Sequence, residues 1–206
     1  MTSKLSSKSI GAAGMTLGVF AFFGVVLLAS VQWLTKDNIA ENIRQRHLQR
    51  LHDIIAPNTY DNDLLGTAVE QKIDQQGLAE TLKIYQANLG GTAVAKIFEV
   101  TSLEGYSGAI SLLIGVNIGD NSLRGVRVTS HKETPGLGDK IETNKADWIL
   151  QFAGKSLNNP TLDKWKVQKD GGTFDQFTGA TITPRAVVNT VRETLKLSAE
   201  GFAANE

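Results

Sequence analysis

A long stretch without a charged side chain, from Ser9 to Thr35, constrains this chain more than any other feature. Within it, Gly11–Leu34 reads GAAGMTLGVFAFFGVVLLASVQWL. Coiled as a helix, this segment reaches about 36 Å, which is enough to cross a hydrocarbon core about 30 Å thick. Trp33 stands near its end, where aromatic residues anchor helices at the membrane surface. The sequence therefore predicts one transmembrane helix over residues 11–34, in contact with lipid, preceded by a short segment of residues 1–10.

Two other interpretations of this segment are weaker. A cleaved signal peptide normally has an apolar region of about 7–15 residues, and this one is longer and lacks a small-residue cleavage site. A helix buried in a soluble domain would keep some charge on its circumference. The basic residues do not orient the span, because Lys4 and Lys8 precede it while Lys36 and Arg44 follow it. Charge alone therefore leaves the direction of insertion open.

Composition excludes several classes of protein. The 206 residues include no cysteine, which rules out disulfides, iron–sulfur clusters, thiolate metal sites and cysteine nucleophiles. Lys+Arg and Asp+Glu both number 21, so the chain lacks the basic excess typical of nucleic-acid binding. The histidines, His47, His52 and His131, show no spacing suited to ligands, and no metal site is expected. Electron transfer by this protein would therefore need an organic cofactor.

Helical spacing continues beyond the apolar segment. Asn38, with Glu41 three residues later, has the pattern of a capping box and predicts the start of a second helix. Apolar residues recur at close to helical intervals until Pro57 ends the pattern. We therefore expect a juxtamembrane helix over residues 35–57. Residues 57–91 are mixed and polar, and they give only weak signals.

The remaining patterns predict one extramembrane domain over residues 58–206. Thr92–Val100 and Gly108–Ile118 are rich in Val and Ile and predict strands, and a turn sequence separates them from a third strand, Leu123–Thr129. The later elements are a short helix at Ala146–Ala153 ended by Gly154, a short strand at Trp165–Val167, and an amphipathic helix at Ala186–Ser198 with Thr183 as its N-cap and Pro184 at its first position. The fold class is therefore α+β, with a single N-terminal transmembrane helix followed by one domain.

The first of two glycine-rich segments follows the third strand and runs from His131 to Lys140. Pro135 fixes φ, while Gly136 and Gly138 allow turns or a close approach of the backbone to a ligand. Such a loop is able to lie against a planar ring and direct amide N–H groups at its heteroatoms. An ordinary tight turn is the alternative, and the residues alone favour it.

The second segment, Asp175–Pro184, leads into the last helix. Small residues before Thr181 leave its hydroxyl accessible. The N-terminus of a helix presents unpaired N–H groups and the positive end of the helix dipole, which suits a phosphate. The alternative is that Thr183 only caps the helix while Thr178 and Thr181 make local turn bonds. The residues alone favour that alternative.

Together the two segments resemble the FMN-binding domain family. Asp175-x-x-Thr178-Gly179-Ala180-Thr181 is similar to the flavinylation motif of that family, Asp-x-x-(Ser/Thr)-Gly-Ala-Thr. The loop of residues 133–138, Glu-Thr-Pro-Gly-Leu-Gly, and the earlier Gly-Tyr-Ser-Gly of residues 105–108 also resemble the family. The resemblance implies that a flavin transferase moves FMN from FAD onto Thr181, where it is held covalently through its phosphate.

The resemblance also implies a role for each matched residue. Thr181 carries the phosphate of FMN, in a segment formed with Thr178, Gly179, Ala180 and Thr183. The isoalloxazine ring is approached by Glu133, Thr134, Pro135, Gly136, Leu137 and Gly138, with Thr134 and backbone amides as donors and Leu137 as an apolar contact. Asp175 is implied in recognition by the transferase. No residue is implied as catalytic, because the flavin itself performs the redox chemistry.

More narrowly, the whole chain resembles the G-subunit family of Rnf/Rsx-type ion-translocating electron transport complexes. The C subunits of sodium-pumping NADH:quinone oxidoreductases share the motif and the anchor but are usually longer, and they are the closest alternative. The resemblance implies a single-pass protein of the bacterial inner membrane, with its N-terminus in the cytoplasm and its flavin domain in the periplasm. It also implies other membrane subunits as partners, so that the chain is a redox-active subunit of a translocase and not a complete enzyme.

Two hypotheses of other classes stay open on the residues alone. The chain is able to serve as an anchored scaffold domain without a cofactor, because nothing in its periodicity demands flavin. A secreted binding protein whose leader is removed is the other hypothesis.

Overall fold

The computed structural model of this chain describes residues 7–201, so that residues 1–6 of the predicted N-terminal segment and residues 202–206 lie outside it. The first element is helix α1, Ser7–His52. Within α1, Gly14–Lys36 is long and apolar enough to cross a membrane. Its large apolar side chains are exposed, including Phe20, Leu28 and Trp33. Apolar side chains exposed on every face are typical of a helix surrounded by lipid.

Helix α1 differs in extent from the sequence prediction. The expected start of a separate juxtamembrane helix at Asn38 is wrong, because α1 runs through this residue. A capping box begins a helix only where the preceding backbone is non-helical. Glu41 instead accepts a hydrogen bond from the Gln45 side chain one turn later, at 2.6 Å. The helix also ends at His52, and Pro57–Thr59 forms a separate 3-10 turn.

The chain divides after His47 into two compact units. The second unit begins at Leu48, earlier than the domain boundary expected at residue 58. It therefore includes the end of α1, and all of the elements that follow belong to it.

A five-stranded antiparallel sheet forms the framework of the second unit, and its strands are ordered as they occur in the chain. The strands are β1 (Val69–Lys72), β2 (Thr81–Leu89), β3 (Thr92–Ser102), β4 (Ile110–Asn117) and β5 (Leu123–Ser130). Each strand pairs with the next, so that Phe98 on β3 lies between Ile84 on β2 and Ile114 on β4. The three predicted strands are confirmed with nearly the expected bounds.

Strands β1 and β2 lie in the segment that gives weak sequence signals. Strand β1 is at the edge of the sheet, and all four of its residues are at least partly exposed. Burial therefore imposes no apolar alternation on β1. The pairing of β2 shifts between Ala87 and Asn88, which interrupts the period of two. Both effects weaken the alternation by which a strand is recognised in a sequence.

Both faces of the sheet are covered. On one face lies helix α2 (Ile182–Ala199), above a core that includes Phe98 and Val188. On the other face a second core includes Leu51 and Ile55, from the last turn of α1 and the turn that follows it. The sheet thus forms the middle layer of the second unit. An antiparallel sheet combined with helices confirms the α+β prediction.

Short 3-10 helices connect β5 to α2, at Gly138–Ile141, Asp147–Phe152, Leu162–Lys164 and Gln168–Asp170. The helix predicted at Ala146–Ala153 is therefore of the 3-10 type, and Gly154 follows it with a φ of +75°. The strand predicted at Trp165–Val167 is wrong, since only an isolated bridge joins Val167 to Phe174. Trp165 is fully buried, and its indole N–H donates to the carbonyl of Ser156 at 3.0 Å. The apolar pattern at this position therefore comes from a core residue and not from a strand.

Helix α2 begins earlier than predicted, with Ile182 as its first residue and Thr181 at the N-cap position. The interpretation of Thr183 as the N-cap is wrong. Thr183 is the second residue of the helix and Pro184 is the third. The Thr183 side chain is fully buried, and its hydroxyl donates to Glu133 Oε2 at 2.5 Å. A hydrogen bond to a distant segment thus replaces the local capping bond.

Candidate functional site

Thr181 stands where the second glycine-rich segment enters helix α2. Its backbone already has helical angles, with φ at −82° and ψ at −29°, and its side chain makes no capping bond. Within residues 7–201, neither the Thr181 hydroxyl nor the backbone N–H groups of residues 181–183 have a hydrogen-bond partner. Pro184 has no N–H to contribute. The start of α2 therefore offers one hydroxyl and three consecutive amide donors to a ligand.

A tight turn places this hydroxyl. The Ala180 N–H donates to the Phe177 carbonyl at 3.1 Å, and Gly179 within the turn has a φ of +83°. Phe177 is buried, and its ring lies 5.2 Å from that of Trp148. The Trp148 indole N–H donates to the carbonyl of Asp175 at 2.9 Å. The second glycine-rich segment is thus fixed to the core at Asp175 and Phe177, before the turn. Within the turn, Thr178 and Gly179 stay exposed.

The Pro–Gly loop (Glu133–Gly138) makes a second tight turn. The Leu137 N–H donates to the Thr134 carbonyl at 3.1 Å, with Pro135 and Gly136 between them. Gly136 has a φ of +78°, the left-handed value that the third position of a type II turn requires. The turn leaves Leu137 44% exposed.

Glu133 connects the Pro–Gly loop to two other segments. Its side chain is only 5% exposed, and both of its carboxylate oxygens accept hydrogen bonds from the protein. Oε1 accepts from the backbone N–H of Ser107 at 3.0 Å, and Oε2 accepts from the Thr183 hydroxyl at 2.5 Å. The carboxylate thereby joins residues that are 26 and 50 positions away in the chain.

The backbone of Glu133 is held as well. Its N–H donates to His131 Nδ1 at 3.0 Å, which requires that nitrogen to be unprotonated. The proton of the ring therefore lies on Nε2, which is 2.5 Å from Glu142 Oε1 and donates to it. His131 thus serves as a link between Glu142 and the start of the Pro–Gly loop.

Gly138 allows the Pro–Gly loop to approach α2. A Cβ atom at this position would lie 2.8 Å from Glu133 Oε2 and 3.0 Å from Thr183 Oγ1. Those separations are shorter than van der Waals contact, so a side chain here would displace the Glu133–Thr183 pair. The glycine is therefore needed for close approach.

A pocket of about 230 Å³ lies between the two segments. Its lining residues are Tyr106, Glu133, Thr134, Leu137, Gly138, Gly179, Ala180, Thr181, Ile182 and Thr183. Eight of these are residues that the sequence singles out, and they come from both glycine-rich segments. The pocket thus brings the Thr181 hydroxyl together with the Pro–Gly loop.

Four of the singled-out residues do not line this pocket: Pro135, Gly136, Asp175 and Thr178. Asp175 is exposed, and its backbone carbonyl is the group engaged by Trp148. Tyr106 and Ile182 line the pocket although the sequence predicts no role for either. Tyr106 is in a segment that matches the family pattern, while nothing in the sequence around Ile182 indicates its place.

One charged side chain in the first turns of α2, that of Arg185, is paired with Asp170. Asp170 receives two hydrogen bonds from Arg185, from Nε at 2.7 Å and from Nη2 at 2.9 Å. These bonds lower the pKa of Asp170 and raise the pKa of Arg185. Arg185 lies one turn after Thr181, and its backbone N–H donates to the Thr181 carbonyl. Because Asp170 engages the guanidinium group of Arg185, the Thr181 hydroxyl and the backbone amides of residues 181–183 are the donors available at the start of α2.

Two family models match the chain. Residues 105–196 match the FMN-binding domain, and residues 1–54 match the RnfG N-terminal region. The first match contains every residue that lines the pocket, and the second contains the apolar stretch of α1.

Among solved structures, NqrC of Shewanella oneidensis matches with a TM-score of 0.44 and 21% identity, over 66% of this chain and 75% of that one. A match at this level does not decide between families. The family is decided by curated relatives of much higher identity.

Three such relatives are each named as the G subunit of an ion-translocating oxidoreductase complex. The protein from Vibrio atlanticus is 43% identical over 183 residues, 89% of this chain and 87% of the relative. Those from Photorhabdus laumondii and Pseudomonas aeruginosa are both 48% identical, over 88% of this chain and 86% and 85% of the relatives. The relatives confirm the resemblance to G subunits and favour it over C subunits and over a scaffold without a cofactor. The chain belongs to the family of ion-translocating oxidoreductase complex G subunits.

Proposed function

We propose that this chain carries FMN covalently on Thr181 and transfers electrons through it as the G subunit of a membrane-bound, ion-translocating oxidoreductase complex. Family membership supports the electron-transfer role, and the FMN-binding domain supports the cofactor. One observation of the structure supports Thr181 as the site of attachment. The Thr181 hydroxyl and three consecutive backbone amides lack partners among the described residues, beside a pocket formed by both glycine-rich segments.

The groups at this pocket suit a phosphate ester. Phosphate oxygens accept hydrogen bonds, and the amides of residues 181–183 are donors at the positive end of the α2 dipole. The hydroxyl of Thr183 is already donated to Glu133, so it is not free to form the ester. Thr181 is the hydroxyl in the first turn that remains available.

The rim of the pocket suits a planar ring. Tyr106, Leu137 and Ile182 line the pocket and are 70%, 44% and 43% exposed. Exposed apolar side chains around one pocket are typical of a surface that a ligand covers. Bound FMN would supply the one- and two-electron redox chemistry. The protein would hold the phosphate end at Thr181 and orient the ring with the Pro–Gly loop.

An intact-mass measurement tests this proposal. The full chain is produced with and without a flavin transferase, extracted from membranes and analysed by mass spectrometry. We expect a mass increment of FMN less one water only when the transferase is present. Flavin fluorescence should then stay with the protein band in a denaturing gel. An unmodified mass in the presence of an active transferase would instead support a scaffold domain without a cofactor.

We also propose where the parts of the chain lie. Residues 1–10 are in the cytoplasm, residues 11–34 span the bacterial inner membrane, and the second unit, from Leu48 onward, is the periplasmic flavin domain. The apolar stretch Gly14–Lys36 supports membrane attachment, and the direction of insertion rests on resemblance to the family. Covalent attachment would prevent loss of FMN in a compartment where free flavin is not regenerated.

Reporter fusions test this orientation. A reporter that is active only in the periplasm, fused after Glu206, should be active, and one that is active only in the cytoplasm should be silent. A fusion to a variant that lacks residues 1–34 serves as the control and should reverse both results. The opposite pattern with the full chain would place the flavin domain in the cytoplasm.

The proposed partners follow from the same assignment. Other membrane subunits of the complex would exchange electrons with the flavin, and lipid would surround the span. A flavin transferase would act during maturation: the Thr181 hydroxyl would lose its proton and attack the flavin-side phosphorus of FAD, the pyrophosphate bond would break, and AMP would leave. Asp175 is exposed beside the pocket and does not line it, which suits recognition by the transferase better than contact with bound FMN.

A further inference from the structure

The carboxylate of Glu133 is unsuited to binding the flavin phosphate, although it lines the pocket. An ionised carboxylate only accepts hydrogen bonds, and so does a phosphate ester without a proton. The two oxygens of Glu133 are already engaged by Ser107 and Thr183, and the side chain is almost fully buried. Its role must therefore lie in the contacts that it makes within the protein.

Those contacts connect the three segments that form the pocket. The bond to Thr183 fixes the first turn of α2, and Thr181 is two residues earlier on the same turn. The bond to the Ser107 amide fixes the segment that carries Tyr106 on the pocket rim. Glu133 itself begins the Pro–Gly loop, and His131 holds its backbone.

We infer that Glu133 and Thr183 are a positioning pair, which sets the place of the Thr181 hydroxyl relative to the Pro–Gly loop and is required for FMN to be attached and oriented. This inference rests on the function proposed above. Neither residue touches the reacting atoms: Thr183 presents its hydroxyl to Glu133, and Glu133 holds Thr183 and Ser107 in one place. Because a buried carboxylate without its donor is unfavourable, loss of either partner should rearrange the pair.

The α2 helix supplies a matched control. Thr190 is also buried, and its hydroxyl has no hydrogen-bond partner among the described residues. Thr183→Val and Thr190→Val therefore make the same chemical change on the same helix, and only the first removes a hydrogen bond. Thr183→Ser keeps the hydroxyl and serves as the conservative rescue.

The test measures the rate of flavin transfer to the full-length chain in detergent, with purified transferase and FAD. Thr183→Val should slow the attachment of FMN by about tenfold to a hundredfold, since a misplacement of about 1 Å costs about a hundredfold in rate. Thr183→Ser should restore the rate and Thr190→Val should retain it. Among these three threonine variants, only Thr183→Val should change the visible circular dichroism of the attached flavin.

A second measurement needs no flavin. Hydrogen exchange of the peptide containing residues 105–108, in protein produced without transferase, should be faster in Thr183→Val and unchanged in Thr190→Val. Glu133→Leu removes the other partner of the pair. It should also slow flavin attachment, change the dichroism and speed the exchange of residues 105–108. This variant keeps the test possible if Thr183→Val does not fold.

The outcomes separate the two hypotheses. A wild-type chain that takes up no FMN would overturn the proposed function. A wild-type chain that is flavinylated, with Thr183→Val and Glu133→Leu modified at the wild-type rate and with unchanged dichroism, would overturn the positioning role alone.

Discussion

Replacing Thr181 by alanine should abolish covalent attachment of FMN while the domain stays folded. The hydroxyl that would form the phosphoester is lost, and no hydrogen bond of the protein is broken, because this side chain makes none among the described residues. The helix keeps its first turn, since the Thr181 carbonyl still accepts from the Arg185 N–H. Intact mass should show no increment, and far-ultraviolet circular dichroism should be unchanged.

The neighbouring threonines provide the controls for this experiment. Thr178→Ala removes an exposed hydroxyl outside the pocket and should leave the site of attachment unchanged. Tandem mass spectrometry of the peptide containing residues 170–185 should place the flavin on Thr181 in the wild-type chain. A flavin found on Thr178 or Thr183, or full modification of Thr181→Ala, would show that another hydroxyl is the acceptor.

Replacing Gly138 by alanine should cost about 2–4 kcal/mol of folding free energy, because the new Cβ would displace a buried, hydrogen-bonded carboxylate. This Cβ would lie 2.8 Å from Glu133 Oε2 and 2.9 Å from Glu133 Cβ. The second of these atoms is attached to the backbone, so a rotation of the side chain end cannot relieve the contact. We expect Tm of the detergent-extracted protein to fall by about 5–15 °C. Attached flavin should also show an altered absorbance spectrum.

Gly136→Ala is the matched comparison in the same loop. Its Cβ would have no atom within 4 Å, so the substitution introduces no collision. Its φ of +78° makes alanine strained by about 1–2 kcal/mol, which predicts a smaller fall in Tm. Equal effects on Tm in the two variants, with unchanged flavin spectra, would show that a Cβ at position 138 is accommodated without displacing the Glu133–Thr183 pair.

The sequence predicts the parts of this fold that local patterns determine. The apolar stretch, strands β3, β4 and β5 and helix α2 all have clear periodicity, and the structure has them near the expected positions. Strand β1 is missed because an exposed edge imposes no alternation. The connections between β5 and α2 are misassigned in part because 3-10 helices leave no distinct period in a sequence.

The candidate site divides in the same way. The two glycine-rich segments are recognisable because turns require glycine and proline at fixed positions. The bond between Glu133 and Thr183 spans 50 positions and leaves no local pattern, so Thr183 is taken for a cap because of its neighbours. The backbone conformation of a motif can thus be predicted from its residues, whereas the partner of a buried polar side chain depends on the assembled fold.

The order of the strands has a consequence for biogenesis. Every strand of the sheet pairs with its neighbour in the chain, so the sheet is able to form by successive short closures during synthesis. The pocket cannot form in this way, because the bonds of Glu133 reach forward to the last helix and back to the connection before β4. A transferase that acts on the assembled pocket would therefore load only chains that have folded to their C-terminal helix. Attached flavin would then report that the chain has folded through α2, and subunits truncated before α2 would lack a redox centre.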